Sequence, residues 1–252
     1  MTFSLRREEV IATDQLAALL ESSPGKAAQA LLVAAGQGVL EAQVLLGQIL
    51  LDGRGIEKDP ALARRWFAIG ARQGSAMADN MLGRCLEHGW GGPLDLPAAA
   101  LHYRRAAASG LDWGLYNLAN LLATGRGVAQ DQQQALACYR QAAEAGHAKS
   151  MNLLGRYLEE GLACAADPEQ ARAWYRRSAE AGDFRGQFSH AATLVEQGQV
   201  EQALPWLEQA LANGNLNFLR SSTPALEQAG ESRLQDLARR YRARLTALQA
   251  AT

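Results

Sequence analysis

The chain has 252 residues, 48 % of them hydrophobic but only 6 % aromatic, with 25 basic against 26 acidic side chains. A formal charge of −1 argues against the bulk electrostatic attraction on which nucleic-acid binding rests. No stretch approaches the ~20 consecutive apolar residues of a membrane-spanning helix.

The first residues, MTFSLRREEVIATDQ, lack the apolar core and small-residue cleavage site of a signal peptide, so a reducing cytoplasmic setting is expected. Residues 2–21 read as one helix with Val10, Leu16, Leu19 and Leu20 on its apolar side. A turn at Ser22 to Gly25 starts the next helix. From Lys26 to Gly38 the chain holds Ala27, Leu31, Ala35 and Gly38, in phase with Ala63, Phe67, Ala71 and Gly74 further on. Residues 1–38 therefore read as an N-terminal cap and half repeat, since a terminal copy lacks one neighbour.

Four copies follow without insertion at an interval of 36 residues: 39–74, 75–110, 111–146 and 147–182. Each begins with a helix carrying a leucine and a small residue: Leu46-Gly47, Leu82-Gly83, Leu118-Ala119 and Leu154-Gly155. Glycine inside a helix costs about 1 kcal/mol against alanine, so its recurrence points to helices packed closely. A loop follows with Gly53 and Gly55, Gly89 and Gly91, Gly125 and Gly127, and in the last copy Gly161 and Ala163. The first of each pair suits a helix end at positive φ, and the second a tight return. Asp59, Asp95, Asp131 and Asp167 are placed to cap the second helix, with Pro60 and Pro168 at its first position. Asp131 with Gln134, and Asp167 with Gln170, read as capping boxes. Ala63 and Phe67, with Ala99 and Tyr103, Ala135 and Tyr139, and Ala171 and Tyr175, lie four apart on one helical face. Gly74, Gly110, Gly146 and Gly182 close the copies. In copy two, Gly92-Pro93 and Pro97 predict a stiffer loop.

A fifth unit, 183–214, is shorter and has lost the loop glycines; Pro205 is expected in the first turn of its second helix. Beyond it a short helix near Leu216 to Ser221, a turn at Thr223-Pro224 and another short helix are expected. The chain closes on a long amphipathic helix from Glu231 to about Gln249, read as the end cap of 215–252 or as a weak homodimer element.

This pattern resembles the Sel-one-like repeat (SLR) family, relatives of the tetratricopeptide repeats with a longer inter-helix loop. Four copies between Gly38 and Gly182 carry the resemblance. It implies an all-α, right-handed α/α superhelix, a single solenoid domain over 1–252 and a non-catalytic adaptor or scaffold that binds a protein or peptide.

Catalytic chemistry finds no footing. His88, His102, His147 and His190 share no metal-ligand spacing, and Cys85, Cys138 and Cys164 occupy three different repeat positions. Neither metal nor cofactor is expected. In tetratricopeptide-like stacks the first helix of each pair lines the concave groove. That register picks out Asn80, Arg84, Trp113, Tyr116, Asn120, Asn152, Arg156 and Phe188 as candidate partner-binding residues. The asparagines could bond a peptide backbone, the arginines grip carboxylates, and the aromatics supply contact area. Two alternatives stand beside groove binding: a structural or regulatory subunit that binds through its ends or convex face, and a cell-envelope-related binder.

Overall fold

A computed structural model describes residues 21–250; the helix expected over residues 2–21 lies, except for its last residue, outside them. Thirteen α-helices run from Pro24 to Ala250, and no strand occurs among the described residues. They fall into two compact units, one ending at Asp131 and one beginning at Gln132. The first holds α1 (Pro24–Gly36), α2 (Leu40–Asp52), α3 (Pro60–Arg72), α4 (Ala76–His88), α5 (Leu96–Ala108) and α6 (Asp112–Thr124). The second holds α7 (Gln132–Glu144), α8 (Ala148–Glu160), α9 (Pro168–Glu180), α10 (Phe184–Glu196), α11 (Val200–Asn213), α12 (Leu216–Glu227) and α13 (Ser232–Ala250). Within each unit consecutive helices pack on one another, so the architecture is all-α and built from stacked helix pairs.

The repeat residues do the work their spacing implies. Ala63 and Phe67, and Ala99 and Tyr103, are wholly buried, as are Ala135, Tyr139, Ala171 and Tyr175 to within a few per cent. A fully buried ring of this size stabilises by about 1.5–3 kcal/mol. The helix glycines make room for these rings. A Cβ on Gly47 would stand 2.5 Å from the Phe67 ring, on Gly83 2.7 Å from Tyr103, and on Gly155 2.6 Å from Tyr175. The Tyr103 hydroxyl donates to Glu87 at 2.7 Å and the Tyr175 hydroxyl to Glu159 at 2.7 Å. Burial, with the adjacent carboxylate, holds both phenols well above their usual range.

Asp59, Asp95 and Asp167 cap their helices, accepting the amides of Leu62, Ala98 and Gln170 at 2.9 Å. The capping box at Asp167 takes another form. Gln170 Nε2 donates to the Asp167 carboxylate at 2.7 Å instead of its carbonyl oxygen approaching the cap amide. That amide is already engaged: in all four copies the aspartate N–H donates to the leucine carbonyl one loop earlier, Asp59 to Leu50, Asp95 to Leu86, Asp131 to Leu122 and Asp167 to Leu158, at 2.8–3.0 Å.

The second loop glycine has a stricter duty than turning. Gly55, Gly91 and Gly127 sit at φ of 70–74°. A Cβ on Gly55 would lie 2.2 Å from the Pro24 carbonyl oxygen, on Gly91 2.1 Å from that of Pro60, and on Gly127 2.5 Å from the Leu96 backbone. Each loop thus rests on the first residue of the preceding second helix, and α1 receives Gly55 as a true half repeat. Ala163, at φ 57°, is the one non-glycine at positive φ among the described residues. An L-residue there costs about 1–2 kcal/mol.

A buried polar pair pins two of the helix pairs. Asp79, only 6 % exposed, meets His102 Nδ1 at 2.7 Å, and Gln187 Nε2 donates to Gln209 at 3.2 Å. Copy three holds Leu115 and Cys138, both buried, at the places of Asp79 and His102.

Three local expectations need correction. Pro97 lies in the first turn of α5, not in the loop, where Arg64 instead anchors the Pro93 carbonyl at 3.1 Å. Pro205 lies beyond the first turn, inside α11, which begins at Val200; Pro205 and Glu201, whose carbonyl it leaves without a helical partner, are both exposed to water. Residues 216–227 form one helix through Pro224 instead of two around a turn. The Ser222 and Thr223 hydroxyls donate to the Phe218 and Leu219 carbonyls just ahead of the proline, a pattern that lets a helix bend without breaking. The last helix, α13, buries Leu234, Leu237, Ala238 and Tyr241 in a core shared with Leu207, Leu211, Phe218 and Leu219. Tyr241 donates to the Leu207 carbonyl at 2.7 Å. The apolar face of α13 thus packs within the chain.

Two predictions follow from these contacts, both read by urea or thermal unfolding. Gly91→Ala combines a positive φ with a clash against Pro60 and should lose at least about 2 kcal/mol, whereas Ala163→Gly should gain about 1 kcal/mol. Asp79→Leu alone should cost about 1–3 kcal/mol by stranding His102, while the double change Asp79→Leu/His102→Cys, which copies copy three, should be close to neutral.

Candidate functional site

The eight sequence candidates separate into those that face outward and those that the fold consumes. Asn80 is 3 % exposed, and its Oδ1 accepts from Asn117 Nδ2 at 2.8 Å across α4 and α6. Asn152 is buried to 8 %, with its Oδ1 unpaired. Arg156 pairs with Glu160, one turn on, at 3.2 Å. Phe188 packs into the C-terminal core, with ring centroids 5.7 Å from Phe218 and 6.5 Å from Tyr241, because the fifth pair is covered by α12 and α13. Asn80, Asn152 and Phe188 are buried or packed within the chain, whereas Arg156 remains exposed beside its surface partner. The structure brings Arg84, Trp113, Tyr116 and Asn120 to α4 and α6 of the first unit. Trp113 is 39 % exposed and stands edge-on to Tyr116 at 6.0 Å. Met77, one repeat before Trp113, is equally exposed at 39 %.

Arg84 leads to a feature that the repeat register alone does not show. Its guanidinium lies over the Trp90 indole, 5.0 Å from the ring centre, with one nitrogen 3.7 Å from Met81 Sδ. His88 flanks the same indole at 4.8 Å. Arg84 and Trp90 wall a cleft of about 480 Å³, with Leu51, Pro60 and Met81 as its apolar lining and Gln48, Asp52 and Lys58 at its polar side. Gln48 Nε2 holds both Asp52 carboxylate oxygens at 3.0–3.1 Å.

The repeat explains why the cleft is here. The middle residue of the loop in copies two and three faces the preceding copy. In copy three it is Arg126, which reaches Glu87 at 3.1 Å, the same carboxylate that accepts from Tyr103. One repeat earlier, those three places hold Trp90, Leu51 and Phe67. A phenylalanine needs no acceptor, and here Leu51 and Trp90 stand where Glu87 and Arg126 do one repeat later. An apolar trio replaces a polar chain, and Leu51 and Trp90 line open space. The sequence signal was a tryptophan in a loop position held elsewhere by Arg54, Arg126 and Leu162.

A second cleft, about 580 Å³, belongs to the other unit and lies among α9, α10 and α11, with Arg172, Arg176, Glu180, His190 and Trp206 on its walls. Arg176 pairs with Glu180 at 2.8 Å, the local charge pairing expected of the arginines on the second helices. His190 stands edge-on to Trp206 at 5.5 Å, and burial, followed by the Arg176 charge, disfavours its protonation.

The remaining titratable groups serve the fold. His147 caps α8 by accepting the Ser150 amide. The three cysteines are free thiols, and burial pushes that of Cys85 up to about 11. Among the described residues no cluster of His, Cys, Asp and Glu could hold a metal, and no helix is long and apolar enough to cross a membrane.

Comparison with known proteins agrees with this architecture. The Sel1 repeat profile matches residues 40–75, 76–111, 114–147 and 148–183, more than half of the chain and within a few residues of the copies drawn from spacing. A Sel1 repeat protein from Oxalobacter formigenes superposes with a TM-score of 0.78 at 25 % identity, over 94 % of this chain and 99 % of that one. A protective antigen of uropathogenic Escherichia coli that displays the SLR fold gives 0.69 at 30 % identity, over 88 % of this chain and 50 % of that one. A Sel1 repeat protein from Klebsiella pneumoniae gives 0.51 at 21 % identity, over 76 % and 94 % of the two chains. No curated protein matches in sequence. Sel1 repeats generally mediate protein–protein interactions and serve as non-catalytic scaffolds. Through its four matched copies and the helix pairs they form, the chain belongs to the Sel1 repeat family.

Proposed function

We propose that this chain is a non-catalytic adaptor in the cytoplasm that binds a protein or peptide partner on the first-helix face of its N-terminal unit. The observation that carries this is the exposure of Met77 and Trp113, in repeat register on α4 and α6, beside Tyr116 and Arg84. Aromatic and arginine side chains are the groups on which interface energy concentrates, and the stack does not need Trp113 exposed. Asn120 lies on the same helix and adds a donor and an acceptor. A second surface competes. Leu94, 58 % exposed, and Leu101, 46 % exposed, lie at and just before α5 and would suit a partner on the second-helix side.

Affinity capture from lysate with quantitative mass spectrometry separates the two. The variant Met77→Ser/Arg84→Ala/Trp113→Ser, with its fold checked by circular dichroism, should lose one protein or a small set about tenfold or more, the effect of removing a single hot-spot residue. Equal capture by this variant, with loss on Leu94→Ser/Leu101→Ser, would move the site to the second-helix side.

A further inference from the structure

We propose that the cleft between copies one and two is a seat for the carboxylate of an aspartate or glutamate side chain in an extended peptide segment. This rests on the first-helix face being the partner surface, and it names the chemistry selected there.

Charge comes first. Arg84 and Lys58 both line the cleft, and the ion pairs among the described residues all go to other basic side chains. Several arginines elsewhere pair with acids, among them Arg126 with Glu87, Arg156 with Glu160, Arg176 with Glu180 and Arg240 with Glu208, while Arg177 and Arg185, like Arg84, lie on ring faces. Arg84 has only an indole face and a thioether, so its guanidinium is held in place while its charge is unanswered. Asp52 is the one acid in the cleft, and Gln48 occupies both its oxygens. Two cations against one carboxylate leave the cleft positive.

Shape and polarity come next. A volume of about 480 Å³ is within the roughly 300–1,000 Å³ range of small-ligand sites, too small for a folded domain and suited to a few side chains. The lining is divided: Leu51, Pro60 and Met81 offer apolar contact, while Arg84 and Lys58 offer donors. A side-chain carboxylate can take the Arg84 fork in charge-assisted hydrogen bonds, and the residue beside it can lie on the apolar lining. The Trp90 indole pre-orients the guanidinium and lowers the entropy lost on binding. A phosphate-rich polymer fits less well, since Asp52 and the apolar lining leave only two cations to meet it.

The test is a positional-scanning library of end-blocked octapeptides, with wild type immobilised and retained peptides sequenced. Blocked ends remove the terminal carboxylate, so any selected acid is a side chain. Wild type should retain Asp or Glu at one position about tenfold over Asn or Gln, the weight of one charge-assisted hydrogen bond. Arg84→Glu should abolish that preference, and so should Lys58→Glu, at an exposed position where folding is not at risk. An acidic preference that survives both substitutions would overturn the assignment. Retention without acidic preference, removed by Trp113→Ser, would overturn the carboxylate seat while leaving the first-helix face as the partner surface. Failure to retain any peptide would also overturn it, and the lysate capture would then judge the face alone.

Discussion

Neighbouring repeats in this chain are joined backbone to backbone. The second loop glycine of one copy lies so close to the first residue of the preceding second helix that no side-chain carbon fits between them, at Gly55 on Pro24, Gly91 on Pro60 and Gly127 on Leu96. The aspartate amide, bonded to the leucine carbonyl before the loop, holds that loop in shape. Side-chain packing then follows. The helix glycines admit the aromatic rings, and the rings bring the two helices of a pair together. In stacks of this kind stability is close to a sum of such nearest-neighbour contacts.

Most of this frame could be read from the residues because its causes are local and recur. A glycine at a helix end, an aspartate at a helix start and an alanine four residues from an aromatic each have one dominant explanation, and four copies in phase remove the remainder. A single residue is a weaker signal. Pro224 alone predicts a break, yet hydroxyls on the preceding turn let the helix bend through it. Pro97 was placed in a loop whose end lies two residues earlier.

The candidate site was less legible, and for a physical reason. Repeat register says which helix face a residue lies on, but exposure depends on what the next element places over it. Asn80 and Asn152 lie on the expected helices and are buried all the same. Phe188 holds the same register position and is covered by α12 and α13, which no repeat pattern could announce. Trp90 is hidden from the register for the opposite reason: it stands in a loop, outside the helix columns that line a groove.

Set side by side, copies one and two differ in a way that bears on how such arrays diversify. Tyr103, Glu87 and Arg126 form a closed polar chain in one junction, while Phe67, Leu51 and Trp90 stand in the same places one junction earlier and leave a cleft. The backbone contacts that join the copies, Gly91 on Pro60 and Gly127 on Leu96, are the same in kind at both junctions. The junctions of this scaffold therefore vary at a finer grain than the repeat. At these two junctions three residues differ, hydrogen-bonded in one and apolar beside a cleft in the other, while the backbone contacts around them stay the same in kind.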